Sequence, residues 1–168
     1  MERTLIIFKP DAVQRGIVGE ILSRFEKVGL KVVGMKMLQP TREDFHHHYE
    51  AIGKLISRRG EETFENTLKM MQAGPVIAAV LEGIESAELV RKMVGGTEPK
   101  GSAPGTIRGD YAHMSYKHGD DNSIGIPNLI HASGDKDEAD LEIAHWFSES
   151  ELFDYQVAHE PFTQPKKK

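Results

Sequence analysis

The sequence predicts an α+β sandwich in which helices cover a sheet. Residues 4–9 and 76–81 are almost unbroken apolar runs, as in strands buried on both faces. Residues 31–38 alternate loosely and read as a third strand. Between and after these runs, apolar residues recur at helical spacing, giving the order strand–helix–strand, helices, strand–helix–strand. The 168 residues contain no internal repeat and no dividing linker, so one domain spanning 1–168 is expected, with a polar tail from about residue 160.

The first strand is stopped by Pro10 and Asp11, which leaves Lys9 at its end. A lysine there commonly snorkels to solvent, but strand ends are also where α/β proteins place functional groups. Val18, Ile21, Leu22 and Phe25 form the stripe of a helix that Gly29 terminates. That helix allows a crossover to the second strand rather than a hairpin. Pro40 ends the second strand, and Thr41 with Asp44 makes a capping signal for a helix bearing Phe45, His46, His47, His48 and Tyr49. Helix neighbours point about 100° apart, so the three histidines cannot converge on one ion and read as a surface cluster.

Residues 54–60 are basic and irregular. A helical pattern resumes over 61–72, with Phe64, Leu68 and Met71 along one side, and Gly74-Pro75 breaks the chain before the next strand. Ser86 is expected to cap a short helix whose apolar stripe leaves Arg91 on the opposite side. Residues 95–110 are rich in Gly, Pro, Thr and Ser and read as a long functional loop. Residues 111–116 read as a further strand and 117–125 as a polar surface excursion. Leu129 and Ile130 then deliver His131 to the mouth of a final helix, which Asp135 and Glu138 are placed to cap. Ala139, Ile143, Trp146 and Phe147 mark that helix's buried face. Residues 164–168 read as a solvated tail.

Composition removes several function classes. A net charge of −5 with both signs interspersed argues against coating nucleic acid or anionic membrane. The absence of cysteine excludes disulfides, thiolate metal sites and cysteine nucleophiles. No apolar stretch approaches ~18 residues and no signal-peptide pattern leads the chain, so a cytoplasmic protein is expected.

Neither G-x-x-x-x-G-K-[ST] nor a strand-coupled G-x-G-x-x-G is present, so a nucleotide would have to be held in another way. The chain offers a lysine at a strand end, two arginines and a threonine around a Gly/Pro loop, and a histidine near helix N–H groups that favour an anion. Cations, hydroxyls and one nucleophile are the parts phosphoryl transfer needs, because its catalysis is mostly positioning and charge stabilisation. Imidazole is neutral and nucleophilic near pH 7.

Four blocks resemble the nucleoside diphosphate kinase family. They are Arg3-Thr4-Leu5-Ile6-Ile7-Phe8-Lys9-Pro10-Asp11-Ala12-Val13-Gln14-Arg15-Gly16, Arg91-Lys92-Met93-Val94-Gly95-Gly96-Thr97-Glu98-Pro99, Pro104-Gly105-Thr106-Ile107-Arg108-Gly109-Asp110 and Asn128-Leu129-Ile130-His131-Ala132-Ser133. The similarity runs in order from about Arg3 to Tyr155. It implies a ferredoxin-like α/β sandwich with an antiparallel four-stranded sheet. It also implies ping-pong transfer of the terminal phosphate from a nucleoside triphosphate to a diphosphate through a phosphohistidine on His131.

By the same resemblance, Glu142 orients the imidazole and Ser133 sits beside it. Arg91, Thr97 and Arg108 bind phosphates, where the planar guanidinium suits phosphate oxygens. Lys9 and Asn128 reach the sugar hydroxyls, with Lys9 also near the transferred phosphate, and Tyr49 lies close to His131. Mg2+ is the expected cofactor, carried by the nucleotide phosphates without a protein carboxylate cage. The expected partners are ATP, GTP and nucleoside or deoxynucleoside diphosphates, and the expected assembly is a homo-oligomer, a tetramer or hexamer. The chain departs from the family at residues 57–64, where an Arg-Pro-Phe-Phe block is usual. Phe64 is the nearest candidate to stack on the base there, although it also belongs to an apolar helical stripe. Residues 117–126 are longer than usual, and Gly134 separates Ser133 from Asp135. Two other readings are a catalytically impaired nucleotide-binding or regulatory protein on the same scaffold, and a phosphocarrier charged by a protein partner.

Overall fold

The computed structural model describes residues 1–163; the tail expected to be solvated, 164–168, lies outside the described residues. Four strands, β1 (Glu2–Phe8), β2 (Lys31–Leu38), β3 (Val76–Gly83) and β4 (Ile130–Ala132), form one antiparallel sheet in the order β2-β3-β1-β4. This is the ferredoxin-like α+β arrangement. The helices are α1 (Pro10–Gln14), α2 (Val18–Lys27), α3 (Arg42–His46, running into a π-helical turn, His47–Ile52), α4 (Leu55–Arg59), α5 (Glu61–Met71), α6 (Ser86–Val94), α7 (Ile107–Tyr111), α8 (Tyr116–Asp121), α9 (Lys136–Trp146) and α10 (Glu160–Thr163).

Side chains alternate across each strand, and both faces of the sheet are covered. Ile6, Phe8, Ala79, Leu81, Ile130 and Ala132 pack against α2 and α6 through Ile21, Phe25, Val90 and Val94. On the other face Leu5, Ile7, Val33, Ala78 and Val80 meet Phe45, Leu68, Met71, Ile143 and Trp146. A sheet covered on both sides needs no polar face, which is why its central strands read as unbroken apolar runs.

The fourth strand is not residues 111–116, as the sequence suggested, but Ile130–Ala132. At three residues it is too short to carry a period-2 signal. Tyr111 instead ends α7, capped by Thr106, whose hydroxyl accepts from the Gly109 amide. Tyr116 begins α8, capped by Ser115 accepting from the His118 amide. Residues 117–125 are therefore partly helical, and 55–59 form α4 rather than irregular chain. Ser86 does not cap α6; its hydroxyl donates to the Glu2 carbonyl, and the Glu2 carboxylate accepts from the Ala87 amide. The Thr41–Asp44 capping box is present. Among the described residues, no helix is long and apolar enough to cross a membrane.

The outer edge of β2 is closed by the chain's own later segment. A bulge interrupts the β2–β3 register between Val32 and Gly34. There the Phe153 amide donates to the Val33 carbonyl (2.7 Å) and the Tyr155 hydroxyl to the Val32 carbonyl (2.7 Å). Pairing of this kind protects an edge that could otherwise recruit another strand. Gly34 permits the close approach, because a Cβ there would lie 2.9 Å from the Glu151 carbonyl oxygen. Gly34→Ala is expected to displace residues 151–153 and cost roughly 1–3 kcal/mol by urea denaturation. Limited proteolysis should show earlier cleavage near Phe153.

Candidate functional site

A tight turn delivers His131 to the sheet. Leu129 is a non-glycine residue at φ +73°, and the Ile130 amide donates to the Asn128 carbonyl two residues back (2.8 Å), so residues 128–130 form a γ-turn. Such a backbone costs of order 1–3 kcal/mol and persists where its surroundings over-determine it. The Leu129 side chain is fully buried, its amide donates to Asp11 Oδ2 (3.0 Å), and its carbonyl accepts from the Lys9 amide (2.9 Å). His131 lies opposite Ile7 of β1, so it belongs to a strand rather than to a helix entrance.

The imidazole is oriented from behind. His131 Nε2 lies 3.0 Å from Glu142 Oε2 and 2.9 Å from Oε1, and Ser133 donates its hydroxyl to Oε2 (2.6 Å). Glu142 is completely buried, not an exposed helix glutamate. Burial pushes its carboxyl up, against the His48 ring and the Ser133 hydrogen bond, which favour the ionised form. Burial first, and then the Lys9 charge, hold His131 well below its ordinary value, so the ring is neutral. With Nε2–H directed to Glu142, the lone pair resides on Nδ1.

His48 corrects the surface-cluster expectation for the three histidines. His46 and His47 are exposed, but His48 is 1% exposed and its ring centroid lies 4.4 Å from that of His131. The π-helical turn makes this possible by bringing two consecutive residues inward, since Tyr49 also lies edge-on to His131 at 6.3 Å. Trp146 donates its indole N–H to His48 Nδ1 (3.2 Å), which fixes His48 as the Nε2–H tautomer. Burial keeps His48 far below its usual value and holds the Tyr49 phenol protonated. His48, His131 and Glu142 place potential metal-ligating atoms within 4.8 Å of one another. A nitrogen-rich set of this kind does not suit magnesium.

Cations line the opposite side. Lys9 is 7% exposed and donates Nζ to Asn128 Oδ1 (2.7 Å), while Asn128 Nδ2 donates to the Thr97 carbonyl (2.8 Å). Burial, reinforced by Arg108, lowers the Lys9 ammonium to about 7. Arg108 directs four N–H groups to the carbonyls of Asn128, Gly95, Gly96 and Ile130, knitting the 95–110 loop to the γ-turn. Burial and the neighbouring Arg91 lower it to about 10. Gly109 allows that loop to close, because a Cβ there would clash with the Ala103 carbonyl.

Lys9, Tyr49, Arg91, Thr97, Arg108, Asn128, His131 and Glu142 all line one cavity of about 500 Å³. Phe64 does not. It is 2% exposed within the core on the α5 side of the sheet and lies edge-on to His46, because it continues the α5 stripe of Leu68 and Met71. The sequence reading missed His48 and the cavity walls supplied by α8 and residues 123–126. His48's signal was its adjacency to Tyr49, which only a π turn turns into a shared face.

A buried lysine titrating near 7 makes stability depend on pH. The unfolded lysine keeps its proton up to about 10.5, whereas the folded one releases it near 7, so the cost of burying the charge is complete below about 7 and disappears as pH rises toward 10.5. Relative to Lys9→Met, the ligand-free protein should therefore gain thermal stability between about pH 7 and pH 10, measured as the difference in Tm across that range.

The chain matches the family model described as Nucleoside diphosphate kinase over residues 2–152. It is 47% identical to a nucleoside diphosphate kinase of Pyrococcus furiosus over 99% of this chain and 96% of that protein. It is 42% identical to that of Borreliella burgdorferi over 93% of each. Among solved structures, the Borrelia burgdorferi enzyme as a transition-state mimic with bound vanadate and ADP superposes with a TM-score of 0.93 at 41% identity, covering 96% of both chains. The Halobacterium salinarum enzyme in complex with CDP gives 0.81 at 36% identity, covering 98% of this chain and 99% of that one.

Proposed function

This chain belongs to the nucleoside diphosphate kinase family, and from that premise we propose that it passes the terminal phosphate between nucleotides through a phosphohistidine on His131. The observation that carries the reading is the neutral, half-buried His131, held through Nε2 by Glu142 with its other nitrogen free, in one cavity with Lys9, Arg91, Thr97 and Arg108. His131 Nδ1 attacks the γ-phosphorus of a nucleoside triphosphate. The N–P bond forms as the bond to the bridging oxygen breaks, and the diphosphate leaves with that electron pair. A second diphosphate then attacks the phosphohistidine by the reverse route. A phosphoramidate retains the transfer potential, so one site serves donor and acceptor in turn.

The protein's share is positioning and charge. Glu142 and Ser133 hold the ring still. Lys9 lies beside Asn128, which suits the pair to a sugar hydroxyl and to the travelling phosphate. Arg91 and Thr97 are exposed at the cavity; Arg91 gives one N–H to the Ala132 carbonyl (3.3 Å) and keeps others to meet phosphate oxygens. Arg108, with most of its donors spent on carbonyls, acts chiefly as a buried positive charge.

Family members generally use a divalent metal with the nucleotide, and the acids here suit a metal that arrives on the substrate. Glu142 is engaged by Ser133 and His131, and Glu138 accepts from the Gly134 amide, so neither is free to build an oxygen cage. Bound magnesium would neutralise phosphate charge from the nucleotide's own oxygens. Nucleoside triphosphates and diphosphates are the substrates, and a net charge of −5 suits these small molecules better than a nucleic acid. A homo-oligomer in the cytoplasm completes the reading.

Incubation with magnesium and γ-labelled ATP should give acid-labile, base-stable label on the chain, absent from His131→Ala and discharged by GDP and dTDP. Nucleotide binding without label would overturn the reading in favour of a binding protein, and label that no diphosphate removes would point to a protein acceptor. Arg91→Ala should lower kcat/KM about 10–100-fold, the worth of one charge-assisted contact.

A further inference from the structure

The cavity extends beyond Arg91 and Thr97 into a region built on and beside the two stretches that depart from the family pattern. One wall is α4 and the start of α5, with Leu55, Arg59 and Glu62; the other is α8 and residues 123–126, with Tyr116, Ile124 and Ile126. The walls are fastened to each other. Ser123 donates its hydroxyl to Glu62 (3.0 Å), Gly125 packs against the Asn66 carbonyl so closely that a Cβ would lie 2.8 Å from it, and the Arg59 guanidinium sits 4.3 Å from the Tyr116 ring centroid. Tyr116 is also tied toward the phosphate end, since its amide donates to Glu98 (2.8 Å), the neighbour of Thr97.

A nucleotide that places its phosphates at His131, Arg91 and Thr97 must send its base along this cavity. Phe64 cannot receive it, being part of the core. Apart from histidine rings, the aromatic side chains lining the cavity among the described residues are Tyr49, committed to the His131 end, and Tyr116. We propose that Tyr116, backed by Arg59, is the stacking platform for the nucleobase, and that α8 with the extended segment before Ile126 replaces the missing aromatic block as the specificity-determining wall. The inference rests on the nucleotide-transfer reading above. A planar ring accepts any base, but it covers more of a purine than of a pyrimidine, so this platform favours purine nucleotides.

The test uses the labelled phosphoenzyme of the full-length protein, discharged by GDP or by CDP over a range of concentrations. Tyr116→Ala should raise the half-saturating GDP concentration about tenfold, the worth of one base–aromatic stack, with a smaller rise for CDP and a much smaller fall in limiting rate. Tyr116→Phe should restore both values, because the ring and not the hydroxyl is used. Tyr116→Leu keeps apolar bulk without the ring, so it should show the purine-weighted loss even if the alanine variant does not fold. Equal loss for GDP and CDP in the leucine variant, or no loss, overturns the proposal while leaving the kinase reading intact. Failure of the wild-type protein to take up label removes the kinase reading first.

Discussion

The backbone bond from the Lys9 amide to the Leu129 carbonyl is the constraint on which the site depends. It joins the end of β1 to the γ-turn that precedes β4, and Asp11 secures the same turn through the Leu129 amide. Without these two bonds, a buried leucine at φ +73° would relax toward an ordinary conformation. Asn128 would then part from Lys9, and His131 would slip from its place opposite Ile7. A slip of one residue in so short a strand would turn the imidazole from Glu142 into the opposite core.

The second feature is an excess of buried positive charge. Lys9 and Arg108 lie beside one another with Arg91 near, and burial already depresses the first two. Asp11 opposes this only in part, its charge weighing less on Lys9 than burial and Arg108 do. Glu142 faces the imidazole and the Ser133 hydroxyl rather than the lysine. Such a site is costly when empty and improves when a polyanion enters, because an anion restores the charged forms that burial penalises. The same field keeps His131 unprotonated and therefore nucleophilic.

Geometry also separates positioning from contact. Trp146 fixes the tautomer of His48, His48 abuts His131, and Ser133 with Glu142 holds the ring from the far side. Four elements thus meet at one imidazole: the π turn, β4, the segment carrying Ser133, and α9. They leave Nδ1 free, so in the proposed transfer the packing selects which atom reacts.

The sequence by itself determined the central strands, because residues 4–9 and 76–81 can be so apolar only when both faces are covered. It also determined the α2, α5 and α9 stripes and the Thr41 cap, each written in a local spacing of side chains. Motif blocks carried the family and, apart from Tyr49 and Glu142, the expected site residues now found lining the cavity. The tertiary structure alone decided what short elements do. Three residues of β4 have no period to read, α8 begins at a serine cap that resembles loop chemistry, and the π turn moves His48 from a presumed surface cluster to the centre of the site. It decided as well that Phe64 is core, since an aromatic on an apolar stripe goes to whichever neighbour buries it, and that Tyr116, at the head of the polar α8, lines the cavity against Arg59; both neighbours are distant in sequence.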